Sequence, residues 1–334
     1  GKLEKPILCL APMADVTDAA SRFIISKVSK TDFEYGARKS VFDTFVTYTE
    51  FVSADGLVLA PEKPARPNGH SGGGRKKLLK DLEYSEIERP VVAQLFSSRP
   101  EMMEKAAALV AELGFDGVDI NMGCPDKSIE KQGAGAALMK NPKLAREIIA
   151  AAKCGVKGRI PISVKTRSGY NKDELETWLP ELLAENPAAI IIHARTRKDM
   201  SKVPARWERI KRAVEIRDSF NSKTLIIGNG DVKDVADAEK KCIETGADGA
   251  MLGRAIFGNP WLFSDYKPTT KERLEVLLDH IKLFEEKFEG IKSFAIMKKH
   301  FKEYLKDPNL RDLRYRLMRT ETAKEAEEII KNCF

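Results

Sequence analysis

The chain predicts a (β/α)8 barrel of the TIM type followed by an all-helical C-terminal domain. Three observations carry this. Short apolar runs alternate with amphipathic helical stretches over most of the 334 residues. Eight such units fit into roughly 265 residues, the size of a closed barrel. From Pro268 onward the strand signal stops. An open doubly wound sheet is the alternative, but no GxGxxG follows the first strand.

In order, the apolar runs are Pro6–Met13, Pro90–Phe96, Gly117–Met122, Ile160–Lys165, Ala188–His193, Thr224–Gly228 and Ala247–Leu252. An eighth strand belongs within Phe33–Leu59, where the pattern is weaker. Runs apolar on both faces, each followed by a helix, specify a parallel sheet. Helical periodicity covers Pro100–Leu113, Pro142–Lys153, Asp173–Glu185, Arg206–Arg217 and Asp234–Thr245. Gly114, Gly155 and Gly246 stand where helix C-caps belong. Ala60–Arg89, rich in Pro, Gly, Lys and Arg, reads as a long loop, or one with small strands, rather than a barrel helix. In the tail, Leu274, Leu277, Leu278, Ile281 and Phe284 form one apolar stripe, and Phe294, Met297, Phe301 and Leu305 another. The expected division is residues 1–267, a barrel, and residues 268–334, a small helical domain.

Composition narrows the function. A formal net charge of +7 and a pI near 9.0 lean toward an anionic partner such as nucleic acid. Lys298, Lys299, Lys302, Arg311, Arg314, Arg316 and Arg319 make the tail basic in places, although Glu285, Glu286, Glu327 and Glu328 could balance them into an ordinary solvated face. The five cysteines (Cys9, Cys124, Cys154, Cys242, Cys333) form no CxxC pair, which argues against zinc and against a disulfide framework. No apolar run reaches membrane-span length and no signal-peptide core opens the chain, so a cytoplasmic monomer without metal or membrane is expected.

In a barrel the C-terminal strand ends converge on one face. Here they carry Ala11-Pro12-Met13-Ala14, Gln94, Asn121 with Cys124, Lys165 with Arg167, and His193 with Arg195 and Arg197. The last two carry Asn229-Gly230-Asp231 and Gly253-Arg254. The loops after strands seven and eight are the usual phosphate site of this architecture, and their glycines let backbone N–H groups approach an anion that Arg254 also contacts. Taken alone, Gly-Asn-Gly is a tight turn; paired with Gly253-Arg254 it indicates a phosphate-bearing cofactor or substrate. Lys165 ends an apolar strand and needs an anionic or polar partner: a flavin N1/O2 edge, or a buried carboxylate. His193 is either a hydrogen-bonded core histidine or, with Arg195 and Arg197 beside it, part of a site. Gln94 could meet a heterocycle edge, and Met13 a flat ring or the core.

Cys124 has three readings. It is an inert buried thiol, a nucleophile needing a base that the sequence does not assign, or a general acid needing reach and a suitable pKa. Gly133 and Gly135 suggest that the Cys124–Ala137 loop is mobile, and the general acid is preferred.

Together these motifs resemble the dihydrouridine synthase family. The carriers are Ala-Pro-Met-Ala-Asp-Val-Thr-Asp from Ala11, Asp-Ile-Asn-Met-Gly-Cys-Pro from Asp119, Gly-Ala-Gly-Ala-Ala-Leu from Gly133, and Val-Lys-Thr-Arg from Val164. Ile-His-Ala-Arg-Thr-Arg from Ile192, Gly-Asn-Gly-Asp from Gly228 and Leu-Gly-Arg-Ala from Leu252 complete a series that spans Leu8 to Phe263 in the family's order. The resemblance implies an FMN enzyme that reduces tRNA uridines to 5,6-dihydrouridine with NADPH, or NADH, as reductant. It implies that Pro12, Met13 and Ala14 line the flavin, that Gln94, Lys165 and His193 contact its ring, and that Asn229, Gly230, Asp231, Gly253 and Arg254 hold its phosphate end. Cys124 would protonate uracil C5 while hydride reaches C6; Asn121, Arg195 and Arg197 would face the substrate. The helical tail resembles the family's RNA-binding domain. Two departures stand out: Asp15 replaces a common glycine, placing an anion near the flavin, and Tyr35–Tyr48 and Asn68–Lys80 look enlarged. The rivals are a flavoprotein acting on free pyrimidines, which needs neither tail nor basic excess, and an RNA chaperone without turnover, which needs no flavin site.

Overall fold

The computed structural model describes residues 3–30, 45–60, 74–264 and 266–333. Among these residues nine strands build one parallel sheet: β1 (Ile7–Leu10), β2 (Thr47–Tyr48), β3 (Val52–Ser53), β4 (Val91–Phe96), β5 (Gly117–Met122), β6 (Ile162–Arg167), β7 (Ala189–His193), β8 (Leu225–Asn229) and β9 (Gly249–Leu252). Their order is β1-β9-β8-β7-β6-β5-β4-β2, with β3 extending the pairing along β4. The barrel closes through a parallel bridge between Cys9 and Val46, where Val46 N–H donates to Leu8 O at 2.9 Å and Leu10 N–H to Val46 O at 2.8 Å. Strands β4 and β5 are buried at every position, as strands covered on both faces must be. The sparsely patterned eighth strand is β2, only two residues long; residues 31–44, where part of it was expected, lie outside the described residues.

Around the sheet run α1 (Ala19–Lys30), α2 (Ala54–Leu59), α3 (Arg75–Asp81), α4 (Pro100–Glu112), α5 (Lys127–Glu130), α6 (Pro142–Val156), α7 (Leu175–Leu183), α8 (Glu208–Ser219) and α9 (Val235–Thr245). The last helix shows why the boundaries fall where they do. Asp234 accepts from Asp237 N–H at its start, and Gly246 takes the left-handed conformation (φ 73°) at its end. Gly155 corrects its expected role. It lies inside α6, which is capped instead by Lys157 at φ 51°, and a Cβ on Gly155 would stand 2.1 Å from Glu104 O of α4. The glycine lets two barrel helices approach. In the stretch expected as a long loop, residues 74–89 form α3 and a 3-10 turn at Glu86–Glu88, while residues 61–73 lie outside the described residues.

The tail is wholly helical: α10 (Thr270–Phe288), α11 (Met297–Tyr304), α12 (Arg311–Leu317) and α13 (Ala323–Lys331). Its apolar stripes do not close on themselves. Leu277, Ile281, Phe284 and Phe301 share a core with Ala19, Ala20, Ile24 and Val28 of α1 and with Trp261. Helix α1 is therefore buried on two sides, which explains why nine of its twelve residues, including Ser21, Ser26 and Ser29, are inaccessible.

Ion pairs stitch this seam. Lys292 is buried between Glu50 Oε2 (2.6 Å) and Asp81 Oδ1 (2.8 Å). Lys287 meets Glu83 at 2.6 Å, and Lys299 meets Asp15 at 2.9 Å. Beneath them Arg22, fully buried, pairs with Glu88 at 2.8 Å and donates to Thr17 O at 2.8 Å. Asp15 has φ 54°, a region that favours glycine, and its N–H donates to Glu50. Its carboxylate thus faces the tail.

Candidate active site

Parallel register aligns the strand ends. Asn121 lies beside Lys165, Arg167 beside His193, and His193 beside Asn229. Above them opens a cavity of about 690 Å³, lined among others by Pro12, Met13, Lys165, Arg167, His193 and Arg195 and by the two glycine loops. Among the described residues its wall carries five cations (Lys165, Arg167, Arg195, Lys233, Arg254) against a single carboxylate, Asp231. Such an imbalance in a concave site favours an anionic ligand.

The glycine loops make the most specific part of the wall. Gly230 has φ 120°, and a Cβ there would stand 2.8 Å from Ala205 Cβ and 3.0 Å from the His193 ring. Trp207 Nε1 donates to Gly230 O at 2.8 Å and fixes the turn. Among the described residues, the N–H groups of Gly230, Asp231, Gly253 and Arg254 meet no protein acceptor. Asp231 takes Ala205 N–H at 2.8 Å, Arg195 on one oxygen and Arg254 on the other at 2.6 Å. Burial would raise this carboxyl, but the Arg195 bond, the Ala205 N–H and the Arg195 and Arg254 charges together hold it below its usual range.

Lys165 Nζ donates to Asn229 Oδ1 at 3.2 Å and, among the described residues, makes no ion pair. Desolvation, reinforced by Arg167, lowers it to about 8. The carboxylate partner offered as its alternative is not there. His193 is held far below its normal range by burial and by Arg167 and Lys165. Its Nε2 accepts from Arg195 Nη1 at 3.0 Å, so the ring is neutral with its proton on Nδ1.

Five nominated residues do not line this cavity: Ala14, Gln94, Asn121, Cys124 and Arg197. Ala14 is exposed on the loop beyond Met13. Gln94 is buried, its Nε2 donating to Asp119 at 2.7 Å and its Oε1 accepting from Asn121 Nδ2 at 3.0 Å. Asn121 Oδ1 in turn accepts the N–H groups of Gly123 (3.1 Å) and Cys124 (2.9 Å). Arg197 forms a two-pronged pair with Glu130 on α5 and lies against the Tyr170 ring. That pair, together with Ser98 Oγ donating to Gln132 O and Ala136 N–H donating to Cys124 O at 3.0 Å, ties down the loop expected to be mobile. Gly135 serves close packing there: a Cβ would be 2.9 Å from Cys124 O.

Cys124 is half-buried, and Arg167 Nε donates to the adjacent Gly123 O at 2.9 Å. Burial pushes its thiol up, while Arg167 and Lys165 are near enough for their charges to oppose that. It is a protonated thiol at neutral pH. Among the described residues, no group of three or more His, Cys, Asp or Glu could hold a metal ion, and no helix is long and apolar enough to cross a membrane.

Sequence reasoning nominated neither Ser201 nor Lys233, both on the wall. Lys233 follows the Gly-Asn-Gly-Asp turn by two residues and was findable as part of that loop; Ser201, in the longer loop after β7, had no signal.

A family model described as dihydrouridine synthase (Dus) matches residues 9–334. A probable tRNA-dihydrouridine synthase of Staphylococcus aureus (strain COL) is 37% identical over 336 residues, covering 98% of this chain and 93% of that protein. A probable tRNA-dihydrouridine synthase 2 of Bacillus subtilis (strain 168) is 36% identical, covering 98% and 94%. Among solved structures, histamine dehydrogenase from Rhizobium sp. 4-9 superposes with a TM-score of 0.50 at 12% identity, covering 83% of this chain and 48% of that one. A 2-naphthoyl-CoA reductase complex gives the same score and identity, covering 76% and 49%. These structural likenesses establish the barrel fold and nothing finer.

Proposed function

Because the chain belongs to the dihydrouridine synthase family, we propose that it reduces uridines of tRNA to 5,6-dihydrouridine, using FMN re-reduced by NADPH or NADH. The observation that carries this is the cavity wall, where five cations and four unpaired N–H groups face a single carboxylate. FMN fits that donor set. Gly230, Asp231, Gly253 and Arg254 would hold its phosphate through backbone N–H groups and the guanidinium. Lys165, lacking a carboxylate of its own, would meet the ring edge that gains negative charge on reduction, with Asn229, Pro12 and Met13 around it. Reduced FMN supplies the hydride that adds at uracil C6.

The remaining work falls to the chain. Hydride at C6 leaves negative charge over C5 and O4, and a proton must reach C5. Cys124 carries that proton on Sγ at neutral pH, since burial holds the thiol above its ordinary range. After transfer, the thiolate lies within the field of Arg167 and Lys165, whose charges favour it. Arg195 keeps His193 neutral and braces Asp231, and Arg197 holds the segment that follows Cys124 through Glu130. The uridine must leave its stack at a cost of about a few kcal/mol. In this reading residues 1–267 are the catalytic unit and residues 268–334 contact tRNA. Exposed Lys302, Arg311, Arg316 and Arg319, the last stacked 4.0 Å over Tyr315, support a phosphate- and base-contacting role.

The test is direct. The purified protein should be yellow, and with NADPH and unmodified tRNA it should produce dihydrouridine that maps to defined positions. A protein that takes up no FMN on reconstitution, or one that takes it up and leaves tRNA unmodified, overturns the proposal.

A further inference from the structure

Asp119 lies in the middle of β5 with no exposed surface, and among the described residues it makes no ion pair. Burial raises its carboxyl to about 6 against the lowering hydrogen bonds of Ser163 and Gln94, so it is charged at neutral pH inside the barrel. A charge so placed is costly where a small apolar residue would pack. What it does is visible in its contacts. Ser163 Oγ donates to Oδ1 at 2.6 Å and Gln94 Nε2 to Oδ2 at 2.7 Å. A carboxylate can only accept, so Gln94 must turn its NH2 inward and its Oε1 toward Asn121 Nδ2. At the far end the chain meets the N–H groups of Gly123 and Cys124, which can only donate, and Asn121 Oδ1 must face them. Both ends enforce the same polarity, and neither amide can flip. One N–H remains unspent on each amide; neither side chain lines the cavity, but Asn121 stands beside Lys165, which does, so a ring reaching past Lys165 would meet donors and never a carbonyl.

We propose that Asp119 is a positioning residue: it locks Gln94 and Asn121 as a donor pair for a heterocycle's carbonyl edge and, through Asn121, sets the turn that carries Cys124. The first half rests on the flavin and uracil reading above; the second does not.

Three variants test it, read by the iodoacetamide alkylation rate of Cys124 (by peptide mapping) and by FMN affinity (by fluorescence titration). Asp119→Leu removes the acceptor; Cys124 should alkylate at least about threefold faster and FMN should bind about tenfold more weakly, the loss of one hydrogen bond. Asp119→Asn can still accept from Gln94 while its NH2 donates to a turned Ser163 hydroxyl, so both readouts should stay within about twofold of the starting protein. The pair Asp119→Asn with Gln94→Glu rebuilds the chain of bonds without the spare Gln94 donor. It should alkylate at the normal rate yet bind FMN about tenfold more weakly, and it decides the matter alone if Asp119→Leu does not fold. Normal alkylation in Asp119→Leu, or FMN binding unchanged in the pair, overturns the proposal. If the starting protein binds no FMN, the functional reading fails while the alkylation arm still reports on the turn.

Discussion

The cavity wall and the seam between barrel and tail both gather charged side chains and use them in opposite ways. At the seam each cation is answered: Lys292 by Glu50 and Asp81, Lys287 by Glu83, Lys299 by Asp15, and Arg22 by Glu88. At the cavity Lys165 has only an amide, while Arg195 and Arg254 share one carboxylate. Matched charge is structure; unmatched charge is held for a ligand. The pKa directions follow, since Lys292 is raised because Glu50 and Asp81 together outweigh its desolvation and Lys165 is lowered to about 8 because nothing outweighs its own.

Substitutions should separate the two regions. The largest effect is expected at the seam. Lys292→Met leaves Glu50 and Asp81 facing each other without a cation and should cost about 3–5 kcal/mol of stability, read by urea unfolding. A loss under about 1 kcal/mol would mean the seam is not held by that ion. Next comes Cys124→Ala, which should bind FMN normally and lose about a hundredfold or more of dihydrouridine formation with stability little changed. Lys165→Met should weaken FMN binding by about tenfold or more while leaving stability equal or higher, the reverse of Lys292→Met. If both lysines destabilise alike on removal, the distinction between matched and unmatched charge collapses.

A pH series sharpens the same contrast. Lys165 is protonated below about 8, and an acceptor ring edge such as flavin N1/O2 prefers that form. FMN affinity should therefore be level below about pH 8 and fall above it, by up to tenfold per unit. In Lys165→Met that fall should vanish. The smallest effect belongs to Lys299→Met, whose pair with Asp15 is half-exposed on both sides and should be worth under about 1 kcal/mol.

What the sequence made legible divides along similar lines. Strands such as Ala189–His193 announce themselves because burial on both faces demands an unbroken apolar run. The strand at Thr47–Tyr48 does not, because two residues carry no period. Lys165, His193 and the glycine loops could be nominated because a barrel brings strand ends together whatever their spacing in the chain. Partnerships across the fold could not. Nothing local ties Arg197 to Glu130, 67 positions away, or Asp15 to Lys299, 284 away. From its place in the sequence Asp15 reads as an anion beside the cofactor; in the fold its carboxylate is turned to the tail. Gly155 looked like a cap because a close helix crossing and a helix end both call for glycine.

Helix α1, gripped by the barrel on one side and the tail on the other, bears on how the chain is handled and how it is inherited. A truncation after residue 267 would uncover Ala19, Ile24, Val28 and Trp261 and strand Glu50 and Asp81 without Lys292. The remnant would be sticky and marginal, so a drop in RNA affinity after such a cut would confound lost contacts with lost folding. Point changes on the exposed basic face are the cleaner probe. Two halves that share a helix also resist being shuffled among other proteins, and they should melt together as one unit.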